Sequence, residues 1–317
     1  MKYGRIKGIN KDISKVVLGT MVIRPDAKGC TNFAFDLLDA ALESGINTLD
    51  TARVYGSEGT IGEWIKARNN REKVIILTKG AHPGPQENRV TPSDIQEDIE
   101  NSLKDLQTDY IDIYMLHRDD PEIPVASIMD TLNQYVKSGT IKAIGGSNWT
   151  YQRLAEANSY AKEKGLTPFT ASSPNFGLAV QVNSPWGTDC VSISGPDNEP
   201  ARQWYKDNNM PVFAYSSIAR GFFSGKVATP ADIDKVDDAC KRAYCHPINF
   251  KILDKAYALA KKKGVTVAEI AIAFCFASSL DVFPLIGAAS KDEILSIVKA
   301  LDIVITPEEA AELISVQ

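Results

Sequence analysis

No stretch of this 317-residue chain comes near the roughly 18 consecutive apolar residues that a membrane-crossing helix needs. Its first eight residues, Met1-Lys2-Tyr3-Gly4-Arg5-Ile6-Lys7-Gly8, hold no apolar leader, so a cytoplasmic protein is expected. Five cysteines, an odd number and widely scattered, make no disulfide framework. Only Cys240 and the pair Cys245-His246 approach metal-ligand spacing, and with no second Cys/His pair beside them no metal site is expected. Basic runs of five or more are missing too, and the net charge of -5 offers no electrostatic footprint for nucleic acid or an anionic membrane. Lys261-Lys262-Lys263 reads instead as the cationic last turn of a helix that stops at Gly264. No G-x-G-x-x-G follows any predicted strand, which weakens the case for an open dinucleotide-binding sheet. Internal repeats and low-complexity tracts are absent.

What the chain does have is an ordinary globular composition, 44% hydrophobic and 24% charged, and enough length to bury a large core. Short apolar runs alternate with longer helical patterns from end to end. Strands are predicted at 16–18, 46–50, 74–78, 111–116, 141–144, 169–171, 212–214 and 282–285. Helical patterns lie at 33–43 with Thr31 or Asn32 as cap, near 57–67, from Thr91-Pro92 onward, at 125–136, at 154–161, near 201–205 and at 253–260. The third of these sets Ile95, Ile99, Leu103 and Leu106 at the three-to-four spacing of one buried face. Continuous apolar strands, each followed by a helix, imply a parallel sheet covered on both faces. Repeated through the chain, they point to an α/β protein whose residues 1–317 form a single closed (β/α)8 TIM barrel domain. Two stretches, 176–199 and 218–247, break the rhythm as long loops after the sixth and seventh strands, at the barrel end where binding loops gather.

Three consecutive predicted strands end in chemistry. The segment Leu49-Asp50-Thr51-Ala52-Arg53-Val54-Tyr55-Gly56 carries Asp50 and Tyr55, Val74-Ile75-Ile76-Leu77-Thr78 is closed by Lys79, and Tyr110-Ile111-Asp112-Ile113-Tyr114-Met115-Leu116 is closed by His117. An unperturbed phenol has a pKa of about 10, so a tyrosine that is to pass a proton near neutrality needs its ionisation eased. A lysine ammonium beside it would do so, a carboxylate such as Asp50 would keep that lysine charged, and a neutral imidazole at His117 could donate a hydrogen bond to a substrate oxygen. A lysine at a strand end can also serve as a Schiff-base nucleophile, which leaves a lyase using Lys79 as an alternative.

At these residues the chain resembles the aldo-keto reductase superfamily. Gly45 through Gly56 resembles the first family signature, Ser102-Leu103-Lys104-Asp105-Leu106-Gln107-Thr108-Asp109-Tyr110-Ile111-Asp112 with Leu116-His117 the second, and Ile144-Gly145-Gly146-Ser147-Asn148 a third motif. The resemblance spans nearly the whole chain. It implies an oxidoreductase that reduces an aldehyde or ketone to an alcohol with NADPH, or alternatively NADH. It makes Tyr55 the proton donor, tuned by Lys79 and Asp50, with His117 orienting the carbonyl. It also places Gly19, Thr20 and Met21 against the nicotinamide, Ser147 and Asn148 on its carboxamide, and Tyr215 stacked on its ring. In the loop after the seventh strand, Ser216, Ile218, Arg220, Gly221, Ser224 and Lys226 are expected to meet the pyrophosphate. Gly287, Ala288, Ser290, Lys291 and Glu293 are expected at the adenosine phosphate. Three positions depart from the family pattern: Ser173 stands where a glutamine is usual, Glu293 where an arginine or glutamine is common, and Ser296-Ile297 where Glu-Asn is frequent. A carboxylate at 293 would repel a ribose phosphate.

The substrate side implied is Met21, Tyr55, His117 and Arg118, with His82 and Trp149 as further candidates. A guanidinium after His117 suits a carboxylate, a phosphate or sugar hydroxyls, hence a small polar carbonyl substrate, although Asp119 or Asp120 could pair with it instead. A relative that only binds nicotinamide, as a sensor or an assembly subunit, is the remaining alternative.

Overall fold

The computed structural model describes residues 1–25, 29–84, 88–187 and 190–315. An antiparallel pair, β1 (Tyr3–Gly4) and β2 (Ile13–Ser14), precedes a closed (β/α)8 barrel. The barrel strands are β3 (Val17–Gly19), β4 (Thr48–Asp50), β5 (Ile75–Gly80), β6 (Ile111–Leu116), β7 (Ile141–Ser147), β8 (Ala171–Ser173), β9 (Val212–Ala214) and β10 (Val282–Ile286). They run in the order β10-β3-β4-β5-β6-β7-β8-β9. The helices are α1 (Asn32–Glu43), α2 (Glu58–Arg68), α3 (Pro92–Leu106), α4 (Val125–Ser138), α5 (Tyr151–Lys164), α6 (Glu199–Asp207), α7 (Asp238–Tyr244), α8 (Pro247–Lys263), α9 (Val267–Ala277), α10 (Lys291–Lys299) and α11 (Pro307–Ile314). All eight predicted barrel strands are present. The β1–β2 pair was not foreseen, because two residues per strand are too few to show an alternating pattern. By contact density the chain divides into one unit of residues 1–173 with 287–294 and another of 174–286 with 295–317.

In the first unit every residue of β4, β5 and β6 is buried, as expected of parallel strands covered on both faces. Parallel pairing sets Asp50 opposite Leu77 and Lys79 opposite Met115, so the carboxyl ends of neighbouring strands finish side by side. Helix α3 shows how sequence makes the outer layer. Thr91 and Asp94 form a reciprocal capping box, Pro92 supplies a preset first turn, and Gln107 ends the helix in a left-handed conformation. Its inward stripe buries Ile95, Ile99 and Leu106, each worth about 1.5–3 kcal/mol on removal from water, while Leu103 stays half-buried. Helix α1 starts after Thr31, whose side chain makes no capping bond.

In the second unit the core gathers Phe222, Phe223, Tyr244, Ile252, Leu253 and Ile270. Helix α8 ends with Lys261, Lys262 and Lys263 before a left-handed Gly264. The first long loop is fastened by Asn175, whose backbone pairs with Val191 and Ile193 and whose amide donates to the Tyr215 carbonyl (3.2 Å) and the Tyr244 hydroxyl (3.0 Å). Residues 188 and 189 of that loop lie outside the described residues. The second long loop is not irregular throughout. It contains helical turns at Ala219–Gly221 and Pro230–Lys235 and the helix α7, all too short to show a periodic stripe.

Candidate active site

Three successive strands and the turns that leave them bring the first cluster together. Asp50 ends β4, and the chain then makes a single 3-10 turn, Arg53–Tyr55, closed by left-handed Gly56. Lys79, next to last in β5, donates from Nζ to the Asp50 carboxylate and to the Thr51 carbonyl (3.0 Å). The same ammonium stands 5.2 Å from the centre of the Tyr55 ring. His117 follows β6, its N–H bonded to the Gly80 carbonyl at 2.7 Å, and its ring meets the edge of Tyr55 at 5.6 Å. Gly80 is required there. A Cβ on it would lie 2.0 Å from the Tyr114 hydroxyl, so no larger residue fits between Lys79 and the turn into His82. The four residues taken from the three strand ends are therefore one contiguous group, with Asp50, Lys79 and His117 buried and Tyr55 half-buried.

Electrostatics fix their protonation. Withdrawal from water works against the Lys79 ammonium, but the charge and hydrogen bonds of Asp50 and Tyr55 outweigh it, and the Lys79 pKa is raised. Burial pushes the Asp50 carboxyl upward against the pull of Lys79. Tyr55 departs from the expectation that its lysine neighbour would ease ionisation. Desolvation is the largest influence on it and exceeds the lowering by Lys79 and Arg118, so its pKa is raised above the ordinary phenol value. The result is a neutral phenol beside a permanent cation. Burial, followed by the charges of Lys79, Arg118 and His82, drives the His117 pKa well below its usual range and leaves a neutral imidazole. Its buried Nδ1 has no hydrogen-bond partner among the described residues.

Arg118 is buried, and its guanidinium donates to the His117 carbonyl at 2.8 Å. The Asp119 carboxylate is engaged by Arg153, which also reaches the Asp120 backbone carbonyl, while the Asp120 carboxylate accepts the Glu122 N–H (3.1 Å). His82 packs edge-on against His117 with ring centres 4.9 Å apart. Trp149 is fully buried, donates to the Arg118 carbonyl at 3.2 Å and is a support beneath the arginine.

The other positions of this unit also lie at strand ends. Ser147 donates to the Ser173 carbonyl (3.0 Å), and Asn148, held with φ at 56°, donates to Ser147 Oγ (3.2 Å) and to the His117 carbonyl (3.3 Å). The Ser173 hydroxyl is buried without a partner among the described residues, so a polar group such as a carboxamide would satisfy it. After Gly19, Thr20 is tied to the Asp50 carbonyl through both its N–H and its hydroxyl, while Met21 is 45% exposed. Gly287 is exposed and Ala288 buried ahead of α10. There Ser290 Oγ accepts the Glu293 N–H (3.2 Å), and the Glu293 carboxylate accepts the Ala289 N–H (2.7 Å). Lys291 sits 3.5 Å from Glu43.

In the second unit the segment after β9 is unusual in its backbone. Ser216, Ala219 and Arg220 all have positive φ near 50°, followed by Gly221 at 90° and Gly225 at 88°. Left-handed non-glycine residues cost energy and cluster at functional sites. Here the turn is closed on itself, the Ala219 N–H donating to the Ser216 carbonyl (2.7 Å) and the Gly221 N–H to the Ile218 carbonyl (3.2 Å). Arg220 donates to Asp237 (2.7 Å) and lies over the Trp186 ring, which in turn packs 5.9 Å from Tyr215. Ser224 and Lys226 are exposed.

The Aldo/keto reductase family profile matches residues 15–317. The chain belongs to the aldo/keto reductase family. It is 28% identical to an uncharacterized oxidoreductase, YrpG, of Bacillus subtilis over 97% of this chain and 93% of that one. It is 26% identical to an aryl-alcohol dehydrogenase [NADP(+)] of Phanerodontia chrysosporium over 95% of this chain and 82% of the relative. Among solved structures, a thermostable aldo-keto reductase in complex with the inhibitor epalrestat superposes with a TM-score of 0.74 at 25% identity, covering 99% of both chains. This member of the aldo/keto reductases is accordingly an NAD(P)H-dependent oxidoreductase of small carbonyl compounds. Among the described residues no helix is long and apolar enough to cross a membrane, and no group of three or more His, Cys, Asp or Glu could hold a metal ion.

One feature beside the reductase cluster escaped the sequence reading. Half-buried Arg53 and buried Glu58 and Thr78 form a chain of hydrogen bonds behind it. Its members are near the signature motif, but no spacing rule pairs residue 58 with residue 78.

Proposed function

We propose that Tyr55 is the proton donor in reduction of an aldehyde or ketone, with His117 orienting the carbonyl, Lys79 and Asp50 holding the local charge, and NADPH as the preferred reductant. The observation that carries this reading is the phenol itself. Tyr55 stands between a buried ammonium and a neutral imidazole with its pKa held above that of an ordinary phenol. A bound reduced nicotinamide supplies the hydride. The remaining work belongs to the side chains: Tyr55 passes its hydroxyl proton to the carbonyl oxygen, and the Lys79 charge stabilises the phenolate left behind. Asp50 keeps Lys79 charged as the proton leaves.

Ser147, Asn148 and Ser173 are proposed to hold the carboxamide, Gly19, Thr20, Met21 and Tyr215 to frame the ring, and Ser216, Ile218, Arg220, Gly221, Ser224 and Lys226 to bind diphosphate. Gly287, Ala288, Ser290 and Lys291 are proposed at the adenosine phosphate, with Glu293 weakening the choice of NADPH over NADH. Arg118 favours a polar substrate, such as a sugar or keto acid with an anionic or hydroxyl group near the carbonyl. Exposed Met21, Val22 and Val54 favour an aromatic carbonyl as the second reading. The chain is proposed to act as one barrel domain in the cytoplasm.

Tyr55→Phe tests the assignment. Carbonyl reduction should fall about 10²- to 10⁴-fold while NADPH still quenches protein fluorescence with near wild-type affinity. Retention of most turnover, in a reaction shown by a deuteride isotope effect to be limited by chemistry, rules Tyr55 out. The sign of the pH dependence follows from the raised pKa: the proton is present at neutral pH, so reduction slows only as pH climbs through a limb above about 10. A panel of ketoses, keto acids and aryl aldehydes separates the two substrate readings.

A further inference from the structure

Behind the cluster a second set of contacts, centred on buried Glu58, joins the turn that carries Tyr55 to the strand that carries Lys79. Arg53 opens that 3-10 turn, and its guanidinium donates to Glu58 Oε2 at 2.6 Å. Glu58 is the first residue of α2 and is 2% exposed. Its other oxygen accepts the hydroxyl of Thr78 at 2.6 Å, and Thr78 immediately precedes Lys79 in β5. Arg53 is also held by Asp105 of α3 at 2.5 Å. Burial works against the Arg53 cation, but its bonds to Asp105 and Glu58 outweigh that, and its pKa is raised.

Burying a carboxylate is costly unless it is fully paired, and Glu58 spends one oxygen on each side of a short span. The backbone bonds of the turn are local, Tyr55 to Ala52 and Gly56 to Arg53. They shape the turn without fixing its height above β5. Two links to β5 exist. One lies ahead of the turn at Thr51, whose N–H donates to the Leu77 carbonyl (2.8 Å) and whose carbonyl accepts the Lys79 ammonium (3.0 Å). The other lies within and beyond the turn and runs through Glu58, three residues from Tyr55 on one side and, by way of Thr78, one residue from Lys79 on the other. We propose that Glu58 is a positioning residue for carbonyl reduction: through Arg53 and Thr78 it sets the distance between the Tyr55 hydroxyl and the Lys79 ammonium. This rests on the reading of Tyr55 as proton donor.

The test compares Glu58→Gln, Thr78→Val and Thr78→Ser with wild type and with Tyr55→Phe, each normalised to sites counted by NADPH titration. Glu58→Gln should lower kcat roughly 10- to 100-fold, since a displacement of about 1 Å at the reacting groups costs that much, with KM for the carbonyl nearly unchanged. The alkaline limb of kcat should move to higher pH, because a looser turn weakens the lowering of the Tyr55 pKa by Lys79. Thr78→Val should show a smaller loss of the same kind, and Thr78→Ser, which keeps the hydroxyl, should restore kcat and the limb. If Glu58→Gln does not fold, the threonine pair alone decides. Variants that melt earlier but keep kcat per site and the wild-type limb overturn the proposal and leave Glu58 a purely structural pair. If Tyr55→Phe retains turnover, the proton-donor reading itself has failed, an outcome distinct from failure of the tether.

Discussion

Between Asp50 and His117 the residues proposed to act are side chains at strand ends, whereas the segment proposed for diphosphate, between Tyr215 and Lys226, stands out by its backbone. In the first region regular strands end in register, and a carboxylate, an ammonium, a phenol and an imidazole project from fixed stations with their charges mutually set. In the second, the strand β9 is only three residues long and the chain then passes through positive φ at Ser216, Ala219, Arg220, Gly221 and Gly225. Side-chain chemistry tolerates little substitution but little constrains the local fold, while a self-closed left-handed turn depends on the path of the chain and only loosely on residue identity. The two regions should therefore fail differently when altered.

Lys79→Met strikes the first region hardest after Tyr55. It removes the charge beside the phenol and leaves the Asp50 carboxylate buried without its partner, a loss of about 3–5 kcal/mol in comparable pairs. Turnover should fall by about two orders of magnitude or more, and urea unfolding should move to markedly lower midpoint. A stable variant with intact turnover would break the contrast. So would a borohydride-trapped substrate adduct on wild-type Lys79 formed without nicotinamide, which would make the residue a nucleophile.

That contrast also explains what was legible in the sequence. The cluster could be read because Asp50, Lys79 and His117 each close a short predicted strand, and strand ends are where a barrel displays its residues. Helix α3 could be read because its capping box, its proline and its apolar stripe agree. The left-handed positions Ser216, Ala219 and Arg220 could not, since none is a glycine and nothing local marks them. Helix α7 and the β1–β2 pair fell below the length at which a period shows. The raised Tyr55 pKa was missed for a different reason: composition reveals the neighbouring charge, but only packing reveals how much water is lost.

A smaller effect probes the start of α10, where side chain and backbone share one task. Glu293 accepts the Ala289 N–H, so its carboxylate lies on a donor at the helix start and brings negative charge to the end that favours anions. Glu293→Gln preserves the capping geometry and removes only the charge. The ratio of NADPH to NADH affinity should rise about fivefold, the equivalent of roughly 1 kcal/mol. An unchanged ratio would detach residue 293 from the cofactor, and wild-type binding of NADH a hundredfold tighter than NADPH would overturn the preferred reductant.

The smallest effect separates backbone strain that serves the scaffold from strain next to the proposed diphosphate loop. Gln107 ends α3 at φ 51° and is exposed, whereas Ala219 holds φ 52° with its methyl buried among Phe222, Phe223 and Tyr244. A left-handed conformation costs a non-glycine residue about 1–2 kcal/mol, and glycine returns part of that gain through its freer unfolded chain. Gln107→Gly should therefore raise unfolding free energy by roughly 0.5 kcal/mol and leave NADPH affinity alone. At Ala219 the same relief is offset by loss of a buried methyl worth about 0.8 kcal/mol, so Ala219→Gly should be near neutral in stability. Its effect should instead appear in the cofactor titration, as weaker binding, because the left-handed turn around Arg220 loses the packing that holds its shape. Equal stabilisation in both variants, with NADPH affinity unchanged in both, would show the loop conformation to be as incidental as a helix end.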